Sequence, residues 1–228
     1  MVKSTEKPLR KPFNMLLRTA SIKDISWLAS AIIACEKSGT SRCGLAGLLS
    51  ISEPELQALL EQWLQQMPAG SEWSLESFWV MEDQSEPVAC SAVWEEGKPK
   101  PSAWIKAALL MKGLSPTTAK NFQSHSPLVA DFMFPREPGA LQLEYVYVSP
   151  KAQGKGFGKT LLNGLMEKFP GRKIQVQLFG NNAIAEKLYQ KLGFQIAGRV
   201  ERSHPFIQKH YPSTEKILME FLPPGERV

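Results

Sequence analysis

The feature that most constrains this sequence is a strand pattern that passes through a glycine-containing turn directly into a helix pattern. Apolar and aromatic residues dominate LQLEYVYVSP, residues 141–150, which predicts a β-strand. QGKGFGKT, residues 153–160, follows as the turn. The next segment places apolar residues at helical spacing, at Leu161, Leu162, Leu165, Met166 and Phe169. A helix that begins at such a turn directs backbone N–H groups and its positive dipole end at an anion, so a phosphate-binding site is predicted.

Three phosphate-binding motifs share parts of QGKGFGKT, and the spacing of its glycines distinguishes them. A nucleotide-binding P-loop needs a glycine five positions before Gly158, where Gln153 stands. A dinucleotide fingerprint that begins at Gly154 needs a glycine where Lys159 stands. Both motifs also need an acidic residue at the end of a neighbouring strand, and KIQVQLF, residues 173–179, has none. The remaining pattern, Gln-x-x-Gly-x-Gly, is that of the pyrophosphate cradle in coenzyme A-dependent acyltransferases.

The charge around this turn also indicates a polyanionic ligand. Between residues 148 and 173 one acidic side chain, Glu167, stands against six basic ones: Lys151, Lys155, Lys159, Lys168, Arg172 and Lys173. Coenzyme A carries a pyrophosphate and a ribose phosphate, so a basic rim beside its cradle is expected. The net charge of the whole chain is +5, a moderate excess. The lysines do not follow one exposed helix with interleaved aromatic residues, so nucleic acid is not an expected partner.

The remaining hydropathy pattern predicts one mixed α/β domain over residues 14–226, preceded by a basic, flexible tail, residues 1–13. Strand and helix patterns follow in the order β-α-α-β-β, then β-α-β-α-β-β. Between the two runs, residues 97–140 are bounded by proline and glycine and are predicted to be an insertion of one or two helices. Ser52 begins a capping box for the second helix. Residues 41–50, SRCGLAGLLS, are expected to be a looser connection.

The apolar runs and the cysteines indicate the compartment. No apolar run approaches the roughly 20 residues that cross a bilayer, and no apolar signal core follows the basic N-terminus, so no membrane partner is expected. Cys35, Cys43 and Cys90 form no CxxC pair, and no histidine cluster accompanies them. The sequence therefore predicts reduced thiols in a cytoplasmic protein and no metal site.

Two linked stretches resemble the GNAT-type N-acetyltransferases. EYVYVSPKAQGKGFGKTLL, residues 144–162, carries the family's Gln/Arg-x-x-Gly-x-Gly/Ala signature. NNAIAEKLYQKLGF, residues 181–194, carries its Asn-x-x-Ala-x-x-x-Tyr motif and terminal Gly-Phe, at Asn182, Ala185, Tyr189, Gly193 and Phe194. The stretches have the family's order and spacing, and the resemblance is strongest over residues 141–194. The helical insertion ahead of the strand also resembles the puromycin N-acetyltransferase-like subgroup.

The resemblance implies a mixed, mostly antiparallel central sheet of about seven strands, flanked by helices, with the insertion between strands 3 and 4. It implies acetyl-CoA as acyl donor, transferred to a primary amine of a small molecule by direct attack in a ternary complex. In the family the fourth strand separates from the fifth, and its main chain, here at Val146, Tyr147 and Val148, pairs with the pantetheine arm. The turn residues that the resemblance assigns to the pyrophosphate are Gln153, Gly154, Lys155, Gly156, Phe157, Gly158 and Lys159.

The second stretch contributes a general acid and two further cofactor residues. The resemblance implies that Tyr189 protonates the departing sulfur, and that Asn182 and Ala185 contact the cofactor. Each role has a structural alternative. Tyr189 shares an apolar helix face with Leu188 and Leu192, so it can be a core residue, and Asn182 can be a plain helix N-cap.

The general base is predicted from the residues of the fourth strand. Glu144 is expected to share a face with Val146 and Val148, and a carboxylate on a half-buried strand can have the raised pKa that base catalysis needs. It can equally be an edge charge that points at solvent. The alternatives are histidines of the closing hairpin and the insertion: His204, His210 and His125.

The acceptor site is expected to be built by the first two helices with their loop, residues 36–52, by the closing hairpin and by the insertion. The alternative to an enzyme is a non-catalytic acyl-CoA-binding or regulatory module on the same scaffold, because a fold does not determine an activity. The sequence leaves open the acceptor amine, the acyl-chain length and whether the chain forms a homodimer.

Overall fold

The computed structural model describes residues 15–223, and within them seven strands form one sheet. The strands are β1 (Met15–Thr19), β2 (Phe78–Asp83), β3 (Glu86–Glu95), β4 (Leu141–Val148), β5 (Ile174–Phe179), β6 (Gln195–Glu201) and β7 (Glu215–Phe221). The helices are α1 (Ile25–Lys37), α2 (Gly44–Leu49), α3 (Glu53–Gln66), α4 (Ser102–Gly113), α5 (Pro116–Val129), α6 (Phe157–Lys168), α7 (Ala183–Lys191) and α8 (Pro205–His210). The predicted basic tail, residues 1–13, lies outside the described residues.

The sheet has the order β1-β2-β3-β4-β5-β7-β6 and is antiparallel except between β4 and β5. β1 to β4 form one antiparallel run, and β7 lies between β5 and β6. The predicted fold class, a mixed and mostly antiparallel sheet of about seven strands flanked by helices, is confirmed. The single parallel pair, β4 with β5, joins the two halves of the sheet and is connected through α6.

Helices cover both faces of the sheet and bury two apolar clusters. On one face α1, α2, α3 and α4 pack over β2 and β3, with Leu28, Leu60, Trp63 and Phe78 fully buried. On the other face α6 and α7 pack over β4, β5 and β7, with Leu161 and Ile217 fully buried. Because apolar burial is the main favourable term in folding, these two clusters hold the helices to the sheet.

The insertion predicted between β3 and β4 is present and forms α4 and α5. Ile105 and Leu110 of α4 lie in the same buried cluster as Trp63. Phe132, just after α5, is fully buried and meets Tyr211 edge to face, with ring centroids 5.6 Å apart. Buried residues in α4 and just after α5 therefore hold the insertion against the rest of the fold. None of the helices in the described ranges is long and apolar enough to cross a bilayer.

Residues 41–50 differ from the predicted loose connection, because they contain α2. The two glycines of GLAGLL make a helix intrinsically unfavourable. Packing overrides this preference: a Cβ on Gly44 would lie 2.5 Å from the ring of Tyr211, and one on Gly47 would lie 2.5 Å from the side chain of His210. The glycines let α2 approach α8, a short helix between β6 and β7 that the sequence pattern also did not predict.

Candidate functional site

The centre of the sheet opens where β4 and β5 separate. The two strands pair only over Leu141 to Leu143, which face Ile174 to Val176. From Glu144 to Val148 no described residue of β5 pairs with β4, and the side chains there are half-buried. Val146, Tyr147 and Val148 thus lie on a strand that has backbone groups available on one edge, as the pairing with a pantetheine arm requires. The Val146 carbonyl also accepts a contact from the Cys35 thiol of α1, at 3.7 Å.

The turn between β4 and α6 has the backbone conformation that glycine allows. Gly154 has φ of +73° and Gly156, the N-cap of α6, has φ of +90°. No atom lies within 4 Å of the position that a Cβ would take at either residue. The left-handed backbone therefore requires glycine, and the open space allows a bulky anion to approach the N–H groups of the first helical turn. Phe157 is buried in the cluster with Leu161 and anchors this end of the helix.

Polar and basic side chains surround the turn. Gln153 donates from Nε2 to the Val148 carbonyl at 3.2 Å, which ties the turn to the end of β4. Lys155 and Lys159 are exposed, and neither forms an ion pair with another residue between 15 and 223. At Gly158 a Cβ would stand 3.4 Å from Leu188, so α6 packs closely against α7. These residues fit a diphosphate group at the start of α6.

Helix α7 brings Tyr189 beneath the open end of β4. The Tyr189 side chain is 3% exposed and packs on Phe194, with ring centroids 5.3 Å apart. Burial raises the pKa of its hydroxyl, and the nearby Cys35 and Glu144 raise it further. The hydroxyl has no hydrogen-bond partner within the described part of the chain. Tyr189 is thus both a core residue and a protonated hydroxyl within electrostatic range of β4.

Asn182 and Ala185 lie at the start of α7. Asn182 is the N-cap, and its Oδ1 accepts from the Ala185 N–H at 3.2 Å. The capping role considered for Asn182 is therefore present, while its amide Nδ2 makes no hydrogen bond to any residue in the range 15–223. Ala185 is half-buried beside the cluster of α6 and α7. The predicted contacts of both residues with a cofactor stay predictions.

A β-bulge changes the face on which Glu144 lies. Ala92 pairs with Glu144 and Cys90 with Tyr147, so three steps along β4 oppose two along β3. The extra residue is Tyr145, whose φ of +52° is left-handed. The expectation that Glu144 shares a face with Val146 and Val148 is therefore wrong, because it assumed regular alternation. We call the sheet face that carries Glu144, Tyr145 and Tyr147 the acceptor face.

Glu144 belongs to a buried charge network on the acceptor face. Arg136, which precedes β4, donates to Glu144 at 2.8 Å and to Glu72 at 3.0 Å. Lys106 of α4 also pairs with Glu72. Burial opposes the charged form of Glu72, but Arg136 and Lys106 outweigh it and hold its pKa at about 2. The Glu144 side chain is therefore not an edge charge that points at solvent, because Arg136 donates to one of its carboxylate oxygens.

Glu36, in the last turn of α1, is a carboxylate that the sequence analysis did not select. It is half-buried, and burial raises its pKa, with Lys216 opposing the rise and Glu144 adding to it. Its closest hydrogen-bonding side chain is Tyr145, whose hydroxyl donates to Oε1 at 3.5 Å and accepts from Trp73 at 3.2 Å. A backbone hydrogen bond with Leu45 also favours the charged form of Glu36, but burial outweighs it.

Lys216 of β7 is a buried cation on the same face. Its residue is 8% exposed, and its ammonium lies 4.7 Å from the centre of the Phe179 ring. Within the described chain it forms no ion pair within 4.0 Å and no hydrogen bond. Burial lowers its pKa, while Glu144 and Glu36 favour its charged form. No sequence motif surrounds Lys216 or Glu36, so neither residue could be selected as a site residue from the sequence. The alternation in EKILMEFL indicates only that Lys216 shares a strand face with Leu218.

The three histidines have structural contacts. His204 caps α8, where its Nδ1 accepts from the Phe206 N–H at 3.1 Å. The rings of His125 and His210 both pack on Phe206, each with centroids 4.6 Å apart. They support the insertion and α8, at the rim of the acceptor face.

Solved N-acetyltransferase structures share this fold. An N-acetyltransferase from Staphylococcus aureus Mu50 superposes with a TM-score of 0.67 over 90% of this chain and 100% of that chain, at 16% identity. The Salmonella typhimurium protein yncA, solved with its cofactor acetyl-CoA, superposes with a TM-score of 0.53 over 94% of this chain and 97% of that chain, at 15% identity. At these identities the likeness shows the fold alone.

The sequence comparisons identify the family. Spermine/spermidine N(1)-acetyltransferase from Bacillus subtilis (strain 168) is 34% identical over 67 residues, which are 28% of this chain and 44% of that protein. The chain thus spans less than half the length of the curated relatives it matches. The model of the acetyltransferase (GNAT) family matches residues 45–194, which contain α3 to α7, most of α2 and the glycine turn. The chain belongs to the GNAT acetyltransferase family.

Proposed function

We propose that the protein transfers an acetyl group from acetyl-CoA to a primary amine of a small molecule, by direct attack in a ternary complex. The observation that supports this most is the meeting of three features at the open end of β4. They are a strand edge without a β5 partner, the glycine turn at α6, and the Tyr189 hydroxyl. Together they suit a ligand with a diphosphate at one end and a thioester at the other.

The chain supplies proton transfers and orientation, while bound acetyl-CoA supplies the activated acyl group. As the amine nitrogen bonds to the carbonyl carbon and the carbon–sulfur bond breaks, the sulfur needs a proton and the nitrogen must lose one. Tyr189 suits the first task because its raised pKa keeps the hydroxyl protonated at neutral pH. The main chain of Val146, Tyr147 and Val148 is proposed to hold the pantetheine arm.

Two carboxylates are candidates for the proton acceptor. Glu144, the residue predicted from the sequence, has one oxygen engaged by Arg136 at 2.8 Å. Glu36 has a raised pKa and no ion pair with a cation, so it is better suited to take up a proton. We therefore assign the base to Glu36, with Glu144 as the alternative.

The proposal is tested by melting the protein with and without acetyl-CoA and then measuring thiol release across a panel of amines. Acetyl-CoA at a hundredfold its Kd is expected to stabilise the fold by about 2.7 kcal/mol. Lys155→Glu should weaken that stabilisation because it reverses a charge at the turn. The matched control is Lys120→Glu, an exposed lysine on α5.

Two results would contradict the proposal in different ways. Stabilisation without thiol release from any amine would favour the alternative, a non-catalytic acyl-CoA-binding module. No stabilisation of the folded protein would remove the assignment of acetyl-CoA.

The three cysteines are free thiols, which supports the cytoplasm as the proposed compartment.

A further inference from the structure

Six charged side chains on the acceptor face interact with one another through ion pairs or longer-range electrostatics. Three are acidic and three are basic: Glu36, Glu72, Glu144, Lys106, Arg136 and Lys216. A further buried carboxylate, Glu96, accepts hydrogen bonds from the Trp94 indole N–H and the Ser102 backbone N–H and stands outside this set.

Four of the six charges neutralise one another. Glu72 pairs with both Lys106 and Arg136, and Arg136 also pairs with Glu144. All four side chains are at most 18% exposed, so these ion pairs are shielded from solvent. They join α4 and the segment before β4 to the sheet. Because two are acidic and two are basic, this group presents no net charge to an acceptor molecule.

The two remaining charged side chains of the set are acidic Glu36 and basic Lys216. Glu36 has no ion pair, and its hydrogen bonds come from the Tyr145 hydroxyl at 3.5 Å and the Leu45 backbone, while Lys216 has no ion pair or hydrogen bond to residues 15–223. Each favours the charged form of the other, yet their charged atoms lie further apart than an ion pair at 4.0 Å. A buried cation without an anionic partner is costly in a protein interior, and Lys216 has the Phe179 ring but no ion pair, which leaves its charge available to an anion.

Given the N-acetyltransferase activity proposed above, on which this assignment rests, we propose that the acceptor is a zwitterion of the amino-acid class. Its amino group lies toward Glu36 and its carboxylate pairs with Lys216. An amine that lacks the carboxylate leaves Lys216 unpaired, and a polyamine adds a like charge beside it. The ammonium of Lys216 borders a buried apolar cluster that contains Phe132, Phe179 and Tyr211.

The test compares acceptors that differ only by the carboxylate. Thiol release is measured for L-phenylalanine against 2-phenylethylamine, L-arginine against agmatine, and L-lysine against cadaverine. In at least one pair the acid is expected to have the higher kcat/KM. Lys216→Met should remove this preference by raising KM for the acid roughly 10–100-fold, the size of a hydrogen bond between charged groups, with a smaller effect on the decarboxylated partner. Lys209→Met, an exposed lysine on α8, is the matched control and should keep the preference.

The outcomes separate this assignment from the proposed function. Equal or better turnover of the decarboxylated amines by the wild type would overturn it. So would a Lys216→Met variant that lowers both members of a pair equally, because that would indicate a structural role. If acetyl-CoA binds and only the decarboxylated amines are acetylated, the zwitterion is wrong and the N-acetyltransferase proposal stands. Loss of acetyl-CoA binding by folded wild type would contradict the proposed function itself. Should Lys216→Met fail to fold, Lys216→Gln provides the same comparison with a polar side chain.

Discussion

At the residue scale, Tyr189 shows how one side chain can fill the core and serve the chemistry. Its ring packs on Phe194, while its hydroxyl has no partner in the described chain. Tyr189→Phe keeps the ring and removes only the hydroxyl, so the melting temperature should change little. We expect kcat for thiol release to fall by roughly 10²-fold or more, the usual contribution of a general acid. A kcat within twofold of the wild type, with unchanged acetyl-CoA affinity, would show that the hydroxyl is not the acid.

A second residue-scale prediction concerns the pH dependence that Glu36 confers. A base must be ionised, so kcat/KM should rise as pH increases through the pKa of Glu36. Burial raises that pKa above the usual value for a glutamate, which moves this rise to higher pH. Glu36→Gln should lower kcat/KM and abolish this step in the profile.

The measurement for Glu36 is a pH profile of kcat/KM for both proteins with one amine, so that titration of the amine itself cancels. Glu86→Gln, an exposed residue of the β2–β3 hairpin, is the control and should keep the wild-type profile. If Glu36→Gln retains the step, the base lies elsewhere, and Glu144→Gln becomes the variant to measure.

At the scale of elements, one carboxylate fastens the start of α1 to the edge of the sheet. Asp24 is 3% exposed, accepts two hydrogen bonds of 2.8 Å from Arg18, and accepts another from the Ser21 N–H. Burial opposes its charge, but these bonds outweigh burial and lower its pKa from 3.8 to about 2. Arg18 also donates to Glu82, so the network joins β1, β2 and α1.

The lowered pKa makes stability depend on pH in a defined direction. A depressed carboxylate pKa contributes stability above pH 3.8, and that contribution is lost as pH falls toward about 2. The shift corresponds to about 2 kcal/mol. Asp24→Asn should lose this stability near neutral pH and unfold with a weaker pH dependence between these values. Urea unfolding at several pH values measures it, with Asp131→Asn, an exposed carboxylate, as the control. Parallel loss of stability in wild type and Asp24→Asn on acidification would contradict the linkage.

The elements differ in how far the sequence could predict them. Long periodic segments and local caps were predictable, as Ser52 shows: it accepts from the Glu55 N–H, and Glu55 caps back on Ser52. Helix α2 was not, because its two glycines disfavour a helix and only packing against α8 stabilises it. The bulge at Tyr145 was not predictable either, since regular alternation is the default for a strand. That one residue moved Glu144 to the opposite face.

The two halves of the candidate site also differ in how far the sequence predicts them. The donor half depends on motifs that are local in sequence, so its backbone conformation at Gly154 and Gly156 followed from the residues. The acceptor half is formed by residues that are distant in the chain, such as Glu36 and Lys216. Packing of α1 over β4 places Glu36 within electrostatic range of Lys216, and no short segment of the sequence predicts this arrangement.

At the scale of the whole molecule, the sheet separates two environments. Its α6–α7 side ends in an exposed basic turn, whereas the acceptor face carries buried, ion-paired charges. The open end of β4 connects the two, since Tyr189 comes from one side and Glu36 from the other. In the function proposed above, donor and acceptor approach this end from opposite faces, so they do not compete for the same charges.

The exposed basic turn predicts that salt weakens the binding of a donor that carries phosphates. Salt screens exposed charges, with a Debye length of about 10 Å at 0.1 M, and screens buried ones much less. The Kd of acetyl-CoA, measured calorimetrically, should therefore rise severalfold from about 50 mM to about 500 mM NaCl. Acetyl-pantetheine lacks the phosphates, so its Kd should not follow. Lys155→Glu should weaken acetyl-CoA binding and flatten its salt dependence, whereas Lys120→Glu should leave both unchanged. If both ligands respond to salt alike, the glycine turn does not hold the diphosphate.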